Sequence, residues 1–193
     1  MGKLTLVIGG VRGGKSRYAR DLATALSEGQ GGRVAFIATA RVGDEEMQER
    51  IERHRKVRPT TWRTFEEPID VSSLLSRIGN DWPIILLDCL TLLLSNLLLD
   101  RTGQADNVPW EEDILREVRK LISTAKEVPA QVIIVSNEVG MGVVPATRLG
   151  RAFRDLAGRA NQLVSQEADE VLALWAGIPL RLKGEGPVPR CLL

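Results

Sequence analysis

The segment Gly9-Gly-Val-Arg-Gly-Gly-Lys-Ser16 has the residue types and spacing to hold a phosphate chain. In the pattern G-x-x-x-x-G-K-S, the glycines let backbone N–H groups turn inward around phosphate oxygens, and a following helix adds the partial positive charge of its N-terminus. Lys15 would reach the β- and γ-phosphates, and Ser16 would hold Mg²⁺. A glycine turn between a strand and a helix is the alternative. The predicted phosphate-binding loop comprises Gly9, Gly10, Val11, Arg12, Gly13, Gly14, Lys15 and Ser16.

Asp88 is a second candidate group, because it ends the apolar run 83–87. A carboxylate at the end of a buried strand can orient Mg²⁺ or its waters opposite Ser16. The alternative is a cap for the helix that follows, and the two roles are compatible. We favour the metal role, because enzymes with such a phosphate-binding loop need a carboxylate of this kind.

His54 is the one histidine of the chain, and it stands within the basic run 53–58. Neighbouring cations disfavour the imidazolium, so they favour a neutral, nucleophilic ring, and they also attract phosphates. Such a ring beside a polyphosphate could attack the α-phosphorus and form a phosphoramidate. A histidine on a solvated, charged helix is the alternative, and the residues alone leave both readings open.

The elements that would position these groups follow from alternating apolar and amphipathic patterns. Because strands and helices alternate, we predict an α/β fold with a mostly parallel sheet covered by helices on both faces, and a C-terminal hairpin around Gly177. On the last helix, we predict that Leu149, Phe153 and Leu156 face inward. The predicted strands are 3–8, 33–38, 62–65, 83–88, 131–135, 170–175 and 179–182, and the predicted helices are 15–27, 44–58, 71–78, 90–99, 110–128 and 147–168.

Length and composition narrow the class of protein. The 193 residues suit one nucleotide-binding domain over 1–193, and the net charge of +1 gives no sign of binding to nucleic acid. The longest apolar stretch, 84–99, is interrupted by polar residues and is shorter than the ~18–20 residues that span a bilayer. The chain shows no signal peptide, and two cysteines are too few for a disulfide framework, so we expect a cytoplasmic protein.

Further motifs extend along nearly the whole chain, and two of them are specific. These are R-I-x-x-H at 50–54 and N-E-V-G-M-G-V-V-P at 137–145. They are accompanied by L-D-C-L-T at 87–91 and F-R-D-x-x-G-R-x-N-Q at 153–162. In these motifs and their order, the chain resembles the bifunctional adenosylcobinamide kinase / adenosylcobinamide-phosphate guanylyltransferase family of cobalamin biosynthesis.

The resemblance implies a P-loop NTPase of the RecA-like type that catalyses two steps. The first step phosphorylates adenosylcobinamide with ATP or GTP. The second transfers GMP from GTP to adenosylcobinamide phosphate through a histidine-GMP intermediate, which gives adenosylcobinamide-GDP. His54 matches the family's guanylylated histidine. The resemblance also implies Mg²⁺ as a cofactor and a homo-oligomer, with a trimer as the expected form.

The family's nucleotide contacts carry over, by resemblance, to positions outside the phosphate-binding loop. This sequence departs from the family at Gly13, where serine is frequent and the change should only loosen the loop, and at Ala40, where a hydroxyl residue is common. Some relatives keep only the transferase activity. The positions that match the family's nucleotide contacts outside the loop are Ala38, Thr39, Ala40, Arg55, Lys56, Val57, Arg58, Glu66 and Asp88.

Two other functions remain open from the sequence. A plain small-molecule kinase would need Lys15 and Asp88 but would not depend on His54. A RecA-like nucleotide-dependent module would hydrolyse slowly without an acceptor; the absence of an N-K-x-D motif argues against an ordinary G-protein switch. Asn137 and Glu138 follow a predicted strand, where they could position water or substrate, or could form a turn before Gly140.

Overall fold

The computed structural model describes residues 2–41, 52, 58–102 and 110–188. His54, Arg55, Lys56 and Val57 therefore lie outside the described residues, as does most of the helix predicted over 44–58.

The strands of the described residues form one seven-stranded sheet. They are β1 (Leu4–Gly9), β2 (Val34–Ala38), β3 (Arg63–Glu66), β4 (Ile84–Asp88), β5 (Gln131–Asn137), β6 (Glu170–Trp175) and β7 (Ile178–Lys183). Their order across the sheet is β3-β2-β4-β5-β1-β6-β7, and all neighbouring pairs are parallel except the β6–β7 hairpin. The prediction of a mostly parallel sheet with a C-terminal hairpin is confirmed.

Helices cover both faces of this sheet. They are α1 (Lys15–Ser27), α2 (Val71–Ile78), α3 (Leu90–Thr102), α4 (Trp110–Glu127) and α5 (Arg148–Glu167). Alternate strand residues divide between the two faces, so Leu4 and Leu6 of β1 pack with α2 to α5, whereas Val7 packs with α1. No helix within the described ranges is both long enough and apolar enough to cross a membrane.

The inward faces of the helices follow the sequence pattern, with one exception. Ile114, Val118 and Leu121 of α4 are buried as their spacing predicts. The prediction that Leu149 faces inward is wrong, because its side chain is 44% exposed. The residue lies in the first turn of α5, where Thr147 caps Gly150 N, and the buried residues of this helix begin only at Leu156.

Gly9 at the end of β1 has no room for a side chain. β1 lies between β5 and β6, and a Cβ atom at Gly9 would clash with the carbonyl oxygen of Leu174 in β6. A Cβ atom at the next residue, Gly10, would meet nothing within 4 Å. Glycine at position 9 is therefore a packing requirement of the sheet, which is separate from any role in binding phosphate.

These two glycines give a matched test of the packing. Gly9→Ala should lower the free energy of unfolding by about 1–3 kcal/mol, because the Leu174 backbone must move. Gly10→Ala should change it by less than about 0.5 kcal/mol. Urea unfolding of both variants measures the difference, and equal stabilities would contradict the described approach of β1 to β6.

Candidate active site

The carboxyl ends of six parallel strands meet along one edge of the sheet. Glu66 of β3 is in register with Ala38 of β2, and Ala38 is in register with Asp88 of β4. On the other side, Asn137 of β5 is in register with Gly9 of β1. β5 therefore separates the phosphate-binding loop from Asp88. Open α/β sheets bind ligands at this edge.

The phosphate-binding loop folds around its lysine. The ammonium group of Lys15, which is only 6% exposed, donates a hydrogen bond to the Gly10 carbonyl oxygen at 2.6 Å. Gly13 N donates to the same oxygen at 3.1 Å. The N-cap of α1 is Gly14 in the left-handed conformation, with φ of 91° and no side-chain cap. A helix N-terminus that begins in this way is suited to binding an anion through its backbone N–H groups.

The loop is also held from both sides by the neighbouring strands. Glu138 N, just after β5, donates to Gly9 O at 2.9 Å, and Gly177 N, in the β6–β7 turn, donates to Gly13 O at 3.1 Å. A Cβ atom at Gly13 would come within 2.9 Å of Gly10 O. In this conformation the loop therefore favours glycine at position 13. The sequence alone predicts only that glycine in place of serine loosens the loop.

Thr39 joins the end of β2 to the residue after Asp88. Its hydroxyl donates to the carbonyl oxygen of Cys89 at 2.8 Å and accepts from the N–H of Cys89 at 2.9 Å. The Thr39 carbonyl oxygen accepts from Asn96 Nδ2 at 2.8 Å. Thr39 is fully buried, and the Asp88–Cys89 peptide bond that it flanks is cis. The Thr39 hydroxyl therefore fixes the backbone beside Asp88.

Asn137 is fixed by a second set of buried polar groups. Its side-chain amide donates to the Thr91 hydroxyl at 2.7 Å, and its carbonyl oxygen accepts from Asn161 Nδ2 at 3.1 Å. The Oδ1 atom of Asn161 in turn accepts from the Ser136 hydroxyl at 2.6 Å. These bonds tie the end of β5 to both α3 and α5. These hydrogen bonds give Asn137 a role in fixing the end of β5, beyond that of a turn residue before Gly140.

The sequence pattern alone does not predict a role for Asn161, Thr91, Asn96 or Ser136. Asn161 lies on the inward face of α5, between Ala160 and Val164, which are fully buried. The polar side chain of Asn161 on the buried face of a predicted helix would have indicated a structural role, because buried polar groups need hydrogen-bond partners.

Two opposite charges act on the thiol of Cys89. The pKa of this thiol is raised to about 11, chiefly by burial and also by the Asp88 carboxylate, while the hydrogen bond with Thr91 and the Lys15 ammonium group act in the opposite direction. The thiol is neutral at physiological pH and is not a nucleophile.

Ser16 and Asp88 fit the chemistry of a magnesium site. Both offer hard oxygen donors, which Mg²⁺ prefers, and this ion usually takes only one or two protein ligands together with phosphates and waters. Residues 2–41, 58–102 and 110–188 contain no cluster of three or more acidic, histidine or cysteine side chains that could hold a metal ion. Such a cluster is not required for an ion that nucleotide phosphates help to bind.

Arg58 lies against the middle of β2 and β3, and Glu66 lies at the carboxyl end of β3. The Arg58 guanidinium stacks 3.7 Å above the Phe36 ring, and its Nη1 atom donates to the Thr64 hydroxyl at 2.8 Å. Phe36 packs with the α1 side of the sheet and stacks on Trp62. Glu66 is exposed at the end of β3. The described residues thus anchor the end of the basic run on the face that carries α1.

Comparison with known proteins connects this arrangement to a family. A family model described as cobinamide kinase / cobinamide phosphate guanyltransferase matches residues 5–182. The bifunctional adenosylcobalamin biosynthesis protein CobU of Escherichia coli K12 is 42% identical over 185 residues, which is 93% of this chain and 99% of that protein. The corresponding protein CobP of Pseudomonas aeruginosa is 43% identical over 180 residues, 93% of this chain and 97% of that protein.

Solved structures show the same fold at low sequence identity. The flagellar accessory protein FlaH of Methanocaldococcus jannaschii superposes with a TM-score of 0.51 at 13% identity, covering 94% of this chain and 78% of that chain. This similarity concerns the fold alone. Together with the sheet order, it confirms the predicted α/β fold with a mostly parallel sheet flanked by helices.

The hydroxyl of Thr39 can be tested by matched substitutions. Thr39→Val keeps the shape but leaves the buried N–H of Cys89 without its partner and removes one of the two hydrogen bonds to the Cys89 carbonyl oxygen, which still accepts from Leu93 N. The free energy of unfolding should therefore fall by about 1–3 kcal/mol. Thr39→Ser retains the hydroxyl and should lose clearly less. Urea unfolding gives the stabilities, and the contrary result is a Thr39→Val protein as stable as the Thr39→Ser protein.

Proposed function

Because the chain belongs to the cobinamide kinase / cobinamide phosphate guanyltransferase family, we propose that it catalyses both reactions named there. It phosphorylates adenosylcobinamide with ATP or GTP, and it then transfers GMP from GTP to that phosphate to give adenosylcobinamide-GDP. The observation that carries the proposal is the buried Lys15 within a glycine loop, at the sheet edge where Asp88 also lies.

In the kinase step, the hydroxyl oxygen of the aminopropanol arm attacks the γ-phosphorus. The bond from this phosphorus to the β–γ bridging oxygen breaks, the nucleoside diphosphate leaves, and the hydroxyl proton is released. Lys15 and the N–H groups of residues 10–14 hold the β- and γ-phosphates. Ser16 and Asp88 would hold Mg²⁺, which neutralises charge on the phosphates when bound. Ala38, Ala40 and Glu66 line the neighbouring strand ends, where the nucleoside would lie.

In the transfer step, a ring nitrogen of His54 attacks the α-phosphorus of GTP, and the α–β bond breaks with release of pyrophosphate. The phosphate oxygen of adenosylcobinamide phosphate then attacks the same phosphorus, the P–N bond breaks, and the histidine is regenerated. Arg55, Lys56 and Arg58 supply positive charge for the phosphates. Val57 lies between Lys56 and Arg58 in the sequence and belongs to the same proposed nucleotide-binding segment.

Both ends of the segment that carries His54 are anchored in described residues. On one side, Arg41 pairs with Asp100 at 2.8 Å; on the other, Arg58 packs on Phe36. Four residue steps separate His54 from Arg58, so the chain can extend by at most about 14 Å between their Cα atoms. This limit supports a histidine that acts at the α1 side of the sheet edge rather than at a distant surface.

The family resemblance also supports a homo-oligomer, for which we propose a trimer.

The covalent intermediate is tested with GTP labelled on the α-phosphate and Mg²⁺, followed by denaturation. A label that is acid-labile and base-stable should remain on the protein, and it should fall by more than about 100-fold in His54→Ala because the nucleophile is gone. Glu52→Ala is the matched control, since Glu52 is exposed two residues away and should keep the label. Lys15→Met should lose the label through weaker nucleotide binding.

Two results would contradict this proposal in different ways. Labelling that persists in His54→Ala would assign the intermediate to another residue. The absence of any stable label in the wild-type protein, with the γ-phosphate still passed to a small acceptor, would leave only a simple kinase.

A further inference from the structure

The loop between β5 and α5 carries apolar side chains in solvent. Met141 is 79% exposed, Val143 is 96% exposed and Val144 is 61% exposed, and Leu149 in the first turn of α5 adds a fourth exposed apolar side chain. We refer to these four residues as the apolar loop. An exposed group of adjacent large apolar side chains is unusual in a folded protein and marks a place where something binds.

Hydrogen bonds hold both ends of the apolar loop. At its start, Gly140 N donates to the Glu138 carboxylate at 2.6 Å. At its end, the Arg151 guanidinium donates to the carbonyl oxygens of Pro145 and Ala146 at 2.9 and 2.8 Å. These contacts fix the backbone on either side of the exposed residues. The apolar surface is therefore pre-organised, which lowers the entropy cost of binding a ligand.

The loop begins at the phosphate-binding site. Glu138 N donates to Gly9 O, and the preceding Asn137 is in register with Gly9. Strands in a sheet lie about 4.8 Å apart, so the start of the loop is one strand spacing from the start of the phosphate-binding loop. The loop therefore starts beside the place where the phosphates of a bound nucleotide would lie.

The composition of the loop favours a small molecule over a protein partner. Residues 138–147 contain no aromatic residue and no lysine or arginine, and Glu138 is their one charged residue. The first cation is the exposed Arg148, at the start of α5 just before Leu149. Protein interfaces are instead enriched in tyrosine, tryptophan and arginine at their energetic centres. Aliphatic side chains with a flexible methionine suit a broad, irregular apolar ligand surface.

From these observations, and resting on the proposed function, we propose that the apolar loop binds the corrin ring of adenosylcobinamide. The ring is the bulky part of this substrate, whereas the reacting hydroxyl lies at the end of its aminopropanol arm. Contact of the ring with Met141, Val143 and Val144 would leave the arm directed towards the phosphates held by the phosphate-binding loop. Binding energy from this remote part of the substrate would then orient the reacting group.

A single charge in the loop tests the assignment. Val143→Asp should raise the dissociation constant for adenosylcobinamide by at least about 10-fold, because a carboxylate would lose water against an apolar ring. Equilibrium dialysis read by the visible absorbance of the corrinoid measures this constant. The affinity for GTP and the α-phosphate label on the protein should be unchanged, since neither involves the ring.

Leu182→Asp is the matched control. Leu182 is 67% exposed, and it lies at the end of β7 next to Lys183, which pairs with Val171 near the start of β6, away from the carboxyl edge. This variant introduces the same charge at a similarly exposed apolar residue, and it should bind adenosylcobinamide as the wild type does.

Several outcomes would overturn the inference. One is an unchanged dissociation constant for adenosylcobinamide in Val143→Asp. Another is a lower molar mass of Val143→Asp by light scattering, which would assign the apolar loop to contacts between copies of the chain. Failure of the proposed function is seen separately, as a wild-type protein that binds GTP but not adenosylcobinamide, and the inference would fall with it.

Discussion

The structure depends on the backbone contacts that hold the end of β1 between β5 and β6. Gly9 accepts a hydrogen bond from Glu138 N on one side and lies too close to the Leu174 carbonyl oxygen for any side chain on the other. The phosphate-binding loop begins at this fixed point, and Gly177 holds it again at Gly13. A loop that is clamped by the sheet can present its N–H groups with little reorganisation, which is what binding and stabilising a phosphate require.

Buried polar groups extend this fixed frame across the carboxyl edge. Thr39 links β2 to the residue after Asp88, and Asn137 links β5 to α3 and α5 through Thr91 and Asn161. Each of these bonds satisfies a group that would be costly to bury alone, so together they favour one arrangement of the strand ends. The same frame supports both the nucleotide site and the start of the apolar loop.

Much of the fold could be predicted from local patterns, and the site only in part. Apolar runs such as 84–87 indicate strands, and the phosphate-binding loop indicates the N-terminus of a helix. Neither prediction needs information about tertiary contacts. Strand order could not be predicted, because nothing in the residues indicates that β5 lies between β1 and β4. The burial of Thr39 depends on a contact that is distant in sequence, with Cys89. The exposure of Leu149 depends on where along α5 the buried residues begin, which is at Leu156. His54 stays a prediction, since it lies outside the described residues.

The position of the bound nucleotide can be tested most directly by a crystal structure of the protein with Mg²⁺ and a GTP analogue in which neither the α–β nor the β–γ linkage can be cleaved. We expect density for the triphosphate against residues 10–14 and the N-terminus of α1, with Lys15 at the β- and γ-phosphates. We expect the metal ion between Ser16 and Asp88. A nucleotide bound at another surface, with the Lys15–Gly10 contact intact, would contradict the assignment of this sheet edge as the active site.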